Sequence, residues 1–161
     1  MKRRMFFCMM LLFASLCIVS CKDDEPTEGL SKAIEGTYSG VAPAVLVEFG
    51  IETLSIKLES AMDSKVNVSV LTELPVIGKL TTISADVTAT DVPNTYKVTG
   101  ASSFNFTLGE ISLNVPLLID GSVVVSDTKT IVARITVGEE TDYPLLPFPL
   151  LIDFTGTTSV K

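Results

Sequence analysis

From Ile34 onward the apolar residues of this chain recur at every second position, over and over, and few folds accept that pattern. Leu54, Ile56 and Leu58 alternate with Ser55, Lys57 and Glu59. Val66, Val68 and Val70 alternate with Asn67 and Ser69, and Ile83, Ala85, Val87 and Ala89 with Ser84, Asp86 and Thr88. The same period runs through Phe104, Phe106 and Leu108, through Ile111, Leu113 and Val115, through Ile131, Ala133, Ile135 and Val137, and through Ile152 and Phe154. A period of two places one set of side chains on a buried face and the other toward water, which is the signature of half-buried strands. The Val, Ile and Thr that fill these runs suit a pleated sheet better than a helix.

Turn chemistry separates the runs: Asp91-Val92-Pro93-Asn94, Asp120-Gly121, Asp127-Thr128-Lys129 and Gly138-Glu139-Glu140. The best helical candidate after the N-terminus, Val45 to Leu54, is rich in Val and broken by Gly50. The expectation is an all-β, antiparallel fold of about eight to ten strands, an up-and-down barrel or else a β-sandwich. A length of 161 residues allows one such domain plus appendages.

Composition removes whole classes of function. The chain has no His, so it lacks the commonest general base and the commonest zinc ligand. Its net charge of −7 is wrong for nucleic acid, which asks for a basic patch. No phosphate loop is present: Val76-Ile77-Gly78-Lys79 has one Gly and one Lys. The acidic clusters Asp23/Asp24/Glu25 and Glu139/Glu140/Asp142 lack the alternating layout of a calcium loop and read as solvated surface. Asn67-Val68-Ser69 and Asn105-Phe106-Thr107 match the glycosylation sequon by chance. No catalytic residue, metal or cofactor is expected.

The first residues form an address. Lys2, Arg3 and Arg4 precede fifteen nearly all apolar residues, Met5 to Val19. That run is short of the roughly 20 residues a membrane-spanning helix needs, and it has the build of a secretory signal peptide; the competing reading is an uncleaved anchor. Ile18-Val19-Ser20-Cys21 then resembles the bacterial lipobox, with Ser where Gly or Ala is commoner. The resemblance implies cleavage before Cys21 and lipid on its thiol, and two or more acyl chains anchor stably where one does not. Cys8 and Cys17 would leave with the signal, so the mature chain would keep no thiol for a disulfide or a nucleophile. It would also carry nine basic against nineteen acidic residues, −10 in all. Lys22-Asp23-Asp24-Glu25 resembles the export signal of surface lipoproteins of gut anaerobic Gram-negative bacteria, which implies an outer-membrane protein facing outward. A plain charged tether is the alternative. The expected organisation is a signal-peptide helix over 1–20, a lipidated Cys and acidic tether over 21–33, and the barrel over 34–161.

Within the domain, Gly36-Thr37-Tyr38-Ser39-Gly40, Tyr96-Lys97-Val98, Leu108-Gly109-Glu110-Ile111, Asn114-Val115-Pro116 and Ile152-Asp153-Phe154-Thr155-Gly156-Thr157 look like the calycin-like β-barrel domains of anaerobe lipoproteins. Such barrels often stack a basic side chain on the aromatic of the first strand. Arg134, the sole Arg after the signal, could do this with Tyr38, or could instead pair with a surface acid. The expected inward set is Phe104, Phe106, Leu108, Ile135 and Phe154, bulky enough to fill an eight-stranded barrel and move binding to its rim or outer face. The strands around Tyr38 and Phe154 are expected to pair and close the barrel, with a Gly on one strand letting the ring on the other lie flat.

Tyr143-Pro144-Leu145-Leu146-Pro147-Phe148-Pro149 cannot be a central strand, since each Pro lacks a ladder donor. It reads either as a plug that completes the core or as a contact loop presenting Leu145, Leu146 and Phe148. The expected function is therefore non-enzymatic: a barrel held at the membrane by the lipid on Cys21 that binds a small apolar ligand or a protein partner. A glycan-binding or adhesive accessory module is the alternative, weakened by three Tyr and no Trp as stacking platforms.

Overall fold

The structure, a computed structural model, describes residues 29–139 and 148–159. The expected signal, Cys21, Lys22 to Glu25, Leu145 and Leu146 lie outside them. Eight antiparallel strands close on themselves in sequence order: β1 Gly36–Val41, β2 Thr53–Met62, β3 Lys65–Val70, β4 Ile83–Ala89, β5 Thr95–Leu108, β6 Ile111–Val125, β7 Thr128–Val137 and β8 Leu150–Ser159. The up-and-down barrel, rather than the sandwich, is the outcome of the alternation. Closure leaves no open edge at the seam, where Ser39 of β1 stands opposite Thr157 of β8.

The inner face is apolar from every strand. Tyr38, Ile56, Leu58, Val66, Val68, Ile83, Val87, Val98, Leu117, Ile119, Val123, Ile131, Ile135, Ile152 and Phe154 are all buried. Small inward residues let the sheet curl. A β-carbon on Gly121 would sit 2.6 Å from that of Ala133, and one on Gly100 would sit 2.7 Å from the Ser84 carbonyl oxygen. Asp120-Gly121 is thus no turn but the middle of β6, its Gly spent on close packing. The turn between β5 and β6 is Gly109-Glu110 instead, with Gly109 at φ 62.

The two ends of the barrel differ. One end carries the tight turns β2–β3, β4–β5 and β6–β7 and a short helix, α1 Leu30–Ile34. Residues read as the tail of the tether therefore belong to the folded unit: Ser31 and Ile34 are buried, and α1 plugs the lumen. Five residues are too few to reveal a helical period in sequence. The plug is tied by hydrogen bonds. Ser31 N–H donates to Asp63 O (2.9 Å), Ser31 and Ser60 share a hydroxyl contact (2.7 Å), Tyr38 O–H donates to Ile34 O (2.5 Å), and Lys129 Nζ donates to Glu35 O (2.7 Å). Gly29 lies against the Asp63 backbone, where a β-carbon would come within 2.6 Å of Cα.

The opposite, distal end carries long connections: residues 42–52 with one helical turn, α2 Ala44–Val47, residues 71–82, and the segment from 138 to 149. Only α2 within the candidate Val45 to Leu54 is helical, and Thr53 already begins β2. Leu46, Leu74, Leu80 and Phe106 close this end over the lumen. β5 and β6, at 14 and 15 residues, outrun their neighbours. β4 leaves β5 after Gly100, and β7 reaches β6 only from Leu117, so residues 101–116 project as a two-stranded ribbon.

Candidate functional site

The expected inward set divides at that ribbon. Phe106, Ile135 and Phe154 are buried as expected, and Phe104 is half-buried. Leu108 is 45% exposed, which corrects its place in the set. Alternation puts it on the inner face, but at the ribbon tip no opposite wall faces it. Phe148, the one of the three candidate contact residues that is described, packs edge-on against Phe106 with ring centroids 5.5 Å apart and planes at 83°. It also covers Gly138, whose β-carbon would collide with the ring.

The seam glycines act in a different way from the expected one. The Phe154 ring lies over Gly156 of its own strand, two residues on and on the same face. Gly40 of β1 meets the Thr155 carbonyl and the Gly156 Cα of β8 backbone to backbone. Tyr38 points inward, fully buried, and burial pushes its phenol well above its usual range, so it stays neutral and donates to Ile34.

Arg134 does not reach Tyr38. It stands on the outer wall and grips Asp153 across β7–β8, Nε to Oδ1 at 2.6 Å and a second nitrogen to Oδ2 at 3.1 Å. Hydrogen bonding from Arg134 holds the Asp153 carboxyl below the usual carboxylate range, and the same bond raises Arg134. The pair borders an outer concavity of about 440 Å³ lined also by Asp120, Val132 and Thr155. With its charges matched and exposed, the geometry offers neither a poised acid nor a free base. Lys65–Asp86 (3.0 Å) and Lys97–Asp120 (3.9 Å) extend the same pattern of cross-strand surface pairs.

Among the described residues no three of Asp, Glu, Cys and His converge on a metal-sized site, and every buried side-chain polar atom has a partner. The described concavities lie outside the packed lumen: the outer groove above, and a cleft of about 110 Å³ beside Leu113, Val115, Gly138 and Phe148.

What sequence reading missed is the distal rim. Val41 (81% exposed), Val47, Phe49 (55%), Leu71 and Val76 (66%) all project at the distal end, from the end of β1 and the two long loops beside β2. The loops are pinned together through β2: Ala42 N–H donates to Glu52 O, Leu71 N–H to Ser55 O, and Ser55 N–H to Thr72 Oγ1. Exposed Glu48, Glu52 and Glu73 surround the apolar groups, with Lys79 the one base in these two loops. The available signal was the apolar run Ala44 to Val47 with Phe49 beyond Glu48, too short to be a span and too Val-rich for a stable helix.

The fold and the site define a closed eight-stranded antiparallel barrel with a filled interior and an apolar, acidic-edged rim, an architecture compatible with the calycin-like fold. Comparison with protein-family models, with characterised proteins and with solved structures gives no match, so the geometry alone carries the functional reading.

Proposed function

We propose that this chain is a calycin-like lipoprotein, anchored in the outer membrane through Cys21 and facing outward, that docks a protein partner on the distal rim of its barrel and performs no chemistry. The single observation that carries the reading is the pairing of a lumen filled by side chains with five exposed apolar groups at the distal rim, Val41, Val47, Phe49, Leu71 and Val76, against Met62 and Val92 at the turns of the α1 end. A filled barrel leaves no room for a small apolar ligand inside, and clustered exposed apolar groups mark contact surfaces.

Chain direction supports the reading. The chain enters the barrel at the α1 end, where the tight turns β2–β3, β4–β5 and β6–β7 also lie. The eight residue steps from Cys21 to Gly29 reach at most about 28 Å. A lipid on Cys21 would therefore hold the α1 end toward the membrane and point the rim away from it.

Two experiments test this. Intact mass of the membrane-extracted protein should equal the chain from Cys21 plus acyl groups, and Cys21→Ala should release it; an unmodified chain sinks the anchor. Site-specific photo-crosslinking in living cells should then give one common adduct from Phe49 and Val76 and none from Met62 at the opposite end. Adducts from Met62 alone, or none from the rim, reject rim docking.

A further inference from the structure

The β5–β6 ribbon carries a strand edge with none of the usual protection. From Val98 to Gly109 the chain has no charge and no Pro. The β4 ladder ends on Ala85 and Gly100 with Ala101 N–H turned to the Ser84 carbonyl, and residues 102–108 have no partner on the β4 side among the described residues. The Gly109-Glu110 turn makes Leu108 and Ile111 the closing pair, so Ser102, Phe104, Phe106 and Leu108 turn their backbone N–H and C=O toward β6. Ala101, Ser103, Asn105 and Thr107 turn theirs the other way. Thr95 confirms the parity, since its carbonyl faces β4 and accepts from Thr90 N–H. Exposed edges are normally blunted by Lys, Pro or a bulge, because they template pairing. The other edge of the ribbon is treated so: β6 has Pro116, whose carbonyl accepts from Gly138 N–H.

We infer that the free edge of β5, residues 101–107, pairs antiparallel with the same edge of a second copy of this chain. The edge is self-complementary. A two-fold axis at Phe104 sets Ser103 opposite Asn105 and Ala101 opposite Thr107, giving about six backbone hydrogen bonds, since the Ala101 N–H of each copy is already turned to Ser84. It also brings the two half-buried Phe104 rings together as a non-hydrogen-bonded aromatic pair. Two copies of so acidic a chain repel over most of their surface, and this stretch is where they meet without like charges facing. The exposed Leu108 and half-buried Ile111 continue the apolar strip along the joined ribbons.

The test is residue-resolved amide exchange on the full chain in detergent over a dilution series, alongside sedimentation. A dimer is expected at high concentration, with the amides of Ser103, Asn105 and Thr107 slowed in step with dimer fraction. Those of Phe104, Phe106 and Leu108 should stay slow at every dilution, held by β6. Asn105→Lys should weaken the dimer at least ~10-fold by setting two lysines diagonally across the two-fold axis. Asn114→Lys, opposite Asn105 on the same face but away from the free edge, should leave it intact. If Asn105→Lys fails to fold, Ser103→Lys, which sets its two lysines diagonally across the same axis, carries the same expectation. A monomer at all concentrations, amides of Ser103, Asn105 and Thr107 that ignore dilution, or protection that appears only on adding a foreign extended peptide overturns the inference.

Discussion

Replacing Gly40 by Ala adds one methyl group where the barrel closes on itself. A β-carbon there would overlap the Thr155 carbonyl oxygen and press on Gly156 Cα, both of them backbone of the facing strand. A flexible side chain could swing aside, but a strand cannot without breaking its ladder. The relief available is to separate β1 from β8 near Ser39 and Thr157. Losing the two backbone bonds of that pair costs about 1 kcal/mol each, and residual overpacking adds about 1–2 kcal/mol. The stiffer unfolded chain of the alanine variant returns about 0.4–1 kcal/mol. The net expectation is a loss of about 2–3 kcal/mol, read as a lower urea midpoint at unchanged slope. Gly50→Ala separates sterics from backbone preference: nothing lies within 4 Å of that site, but φ is 82. It should cost about 1 kcal/mol from conformation alone. If Gly40→Ala falls within about 0.5 kcal/mol of the parent, or below Gly50→Ala in cost, the closed seam is not what holds these strands together.

Tyr38→Phe removes the donor to Ile34 O and strands a buried carbonyl, for a loss of about 1–3 kcal/mol by denaturant titration. Its alkaline behaviour gives a second reading. The folded phenol keeps its proton to higher pH than the unfolded one, so stability should be flat below about pH 10 and fall above it by up to about 1.4 kcal/mol per pH unit, a slope the Phe variant lacks. Phe148→Ala should cost about 1–3 kcal/mol and loosen amide protection at Gly138 and around Phe106, since the ring packs on both; unchanged exchange there would show the ring to be idle. Arg134→Ala should leave the thermal midpoint unmoved while returning the Asp153 carboxyl to its ordinary titration by NMR, because both groups stand in solvent. Val76→Gly should stabilise by about 0.5–1 kcal/mol, relieving a β-branched residue at φ 68, and should weaken rim crosslinking; a destabilised variant would refute that balance.

The strands were legible because their cause is local. A residue pair on one strand faces opposite ways regardless of what lies across the lumen, so alternation at Leu54, Ile56 and Leu58 or at Ile131 and Ile135 already marks their buried face. What depends on a distant wall was not legible. Leu108 follows Phe106 by two residues on the same face, yet one is exposed and the other buried, because the Phe148 ring from the far side of the chain packs on Phe106. Asp120-Gly121 misled for a related reason. The dipeptide favours a turn, but the room a missing β-carbon leaves opposite Ala133 was the stronger demand. Val41 belongs to an ordinary Gly-Val-Ala-Pro stretch and becomes an exposed rim group only because β1 stops there. The surface pairing of Arg134 was readable as an alternative to stacking on Tyr38, and cross-strand register to Asp153 decided between them.

The barrel separates rigidity from display along its axis. At the α1 end the connections are short, and four hydrogen bonds tie plug to wall, so local opening there exposes buried Ile34 and Tyr38 and is costly. At the distal end the loops are long, and chain entropy makes added length cheap, about 0.6 kcal/mol per doubling. A filled lumen lets those loops change without emptying the core. Val76 shows the difference at one residue. It sits at the tip of the turn bridged by Leu74 and Gly78, in the left-handed region, with Ile77 N–H donating to Pro75 O (2.7 Å). A β-branched side chain there costs of order 1–3 kcal/mol and completes no packing, since it is largely exposed. Such strain serves the barrel in no way that the core reveals. It does hold an apolar group out at the rim, beside Leu71 in the same loop and across β2 from the loop that carries Val47 and Phe49, which is where a docking surface needs one.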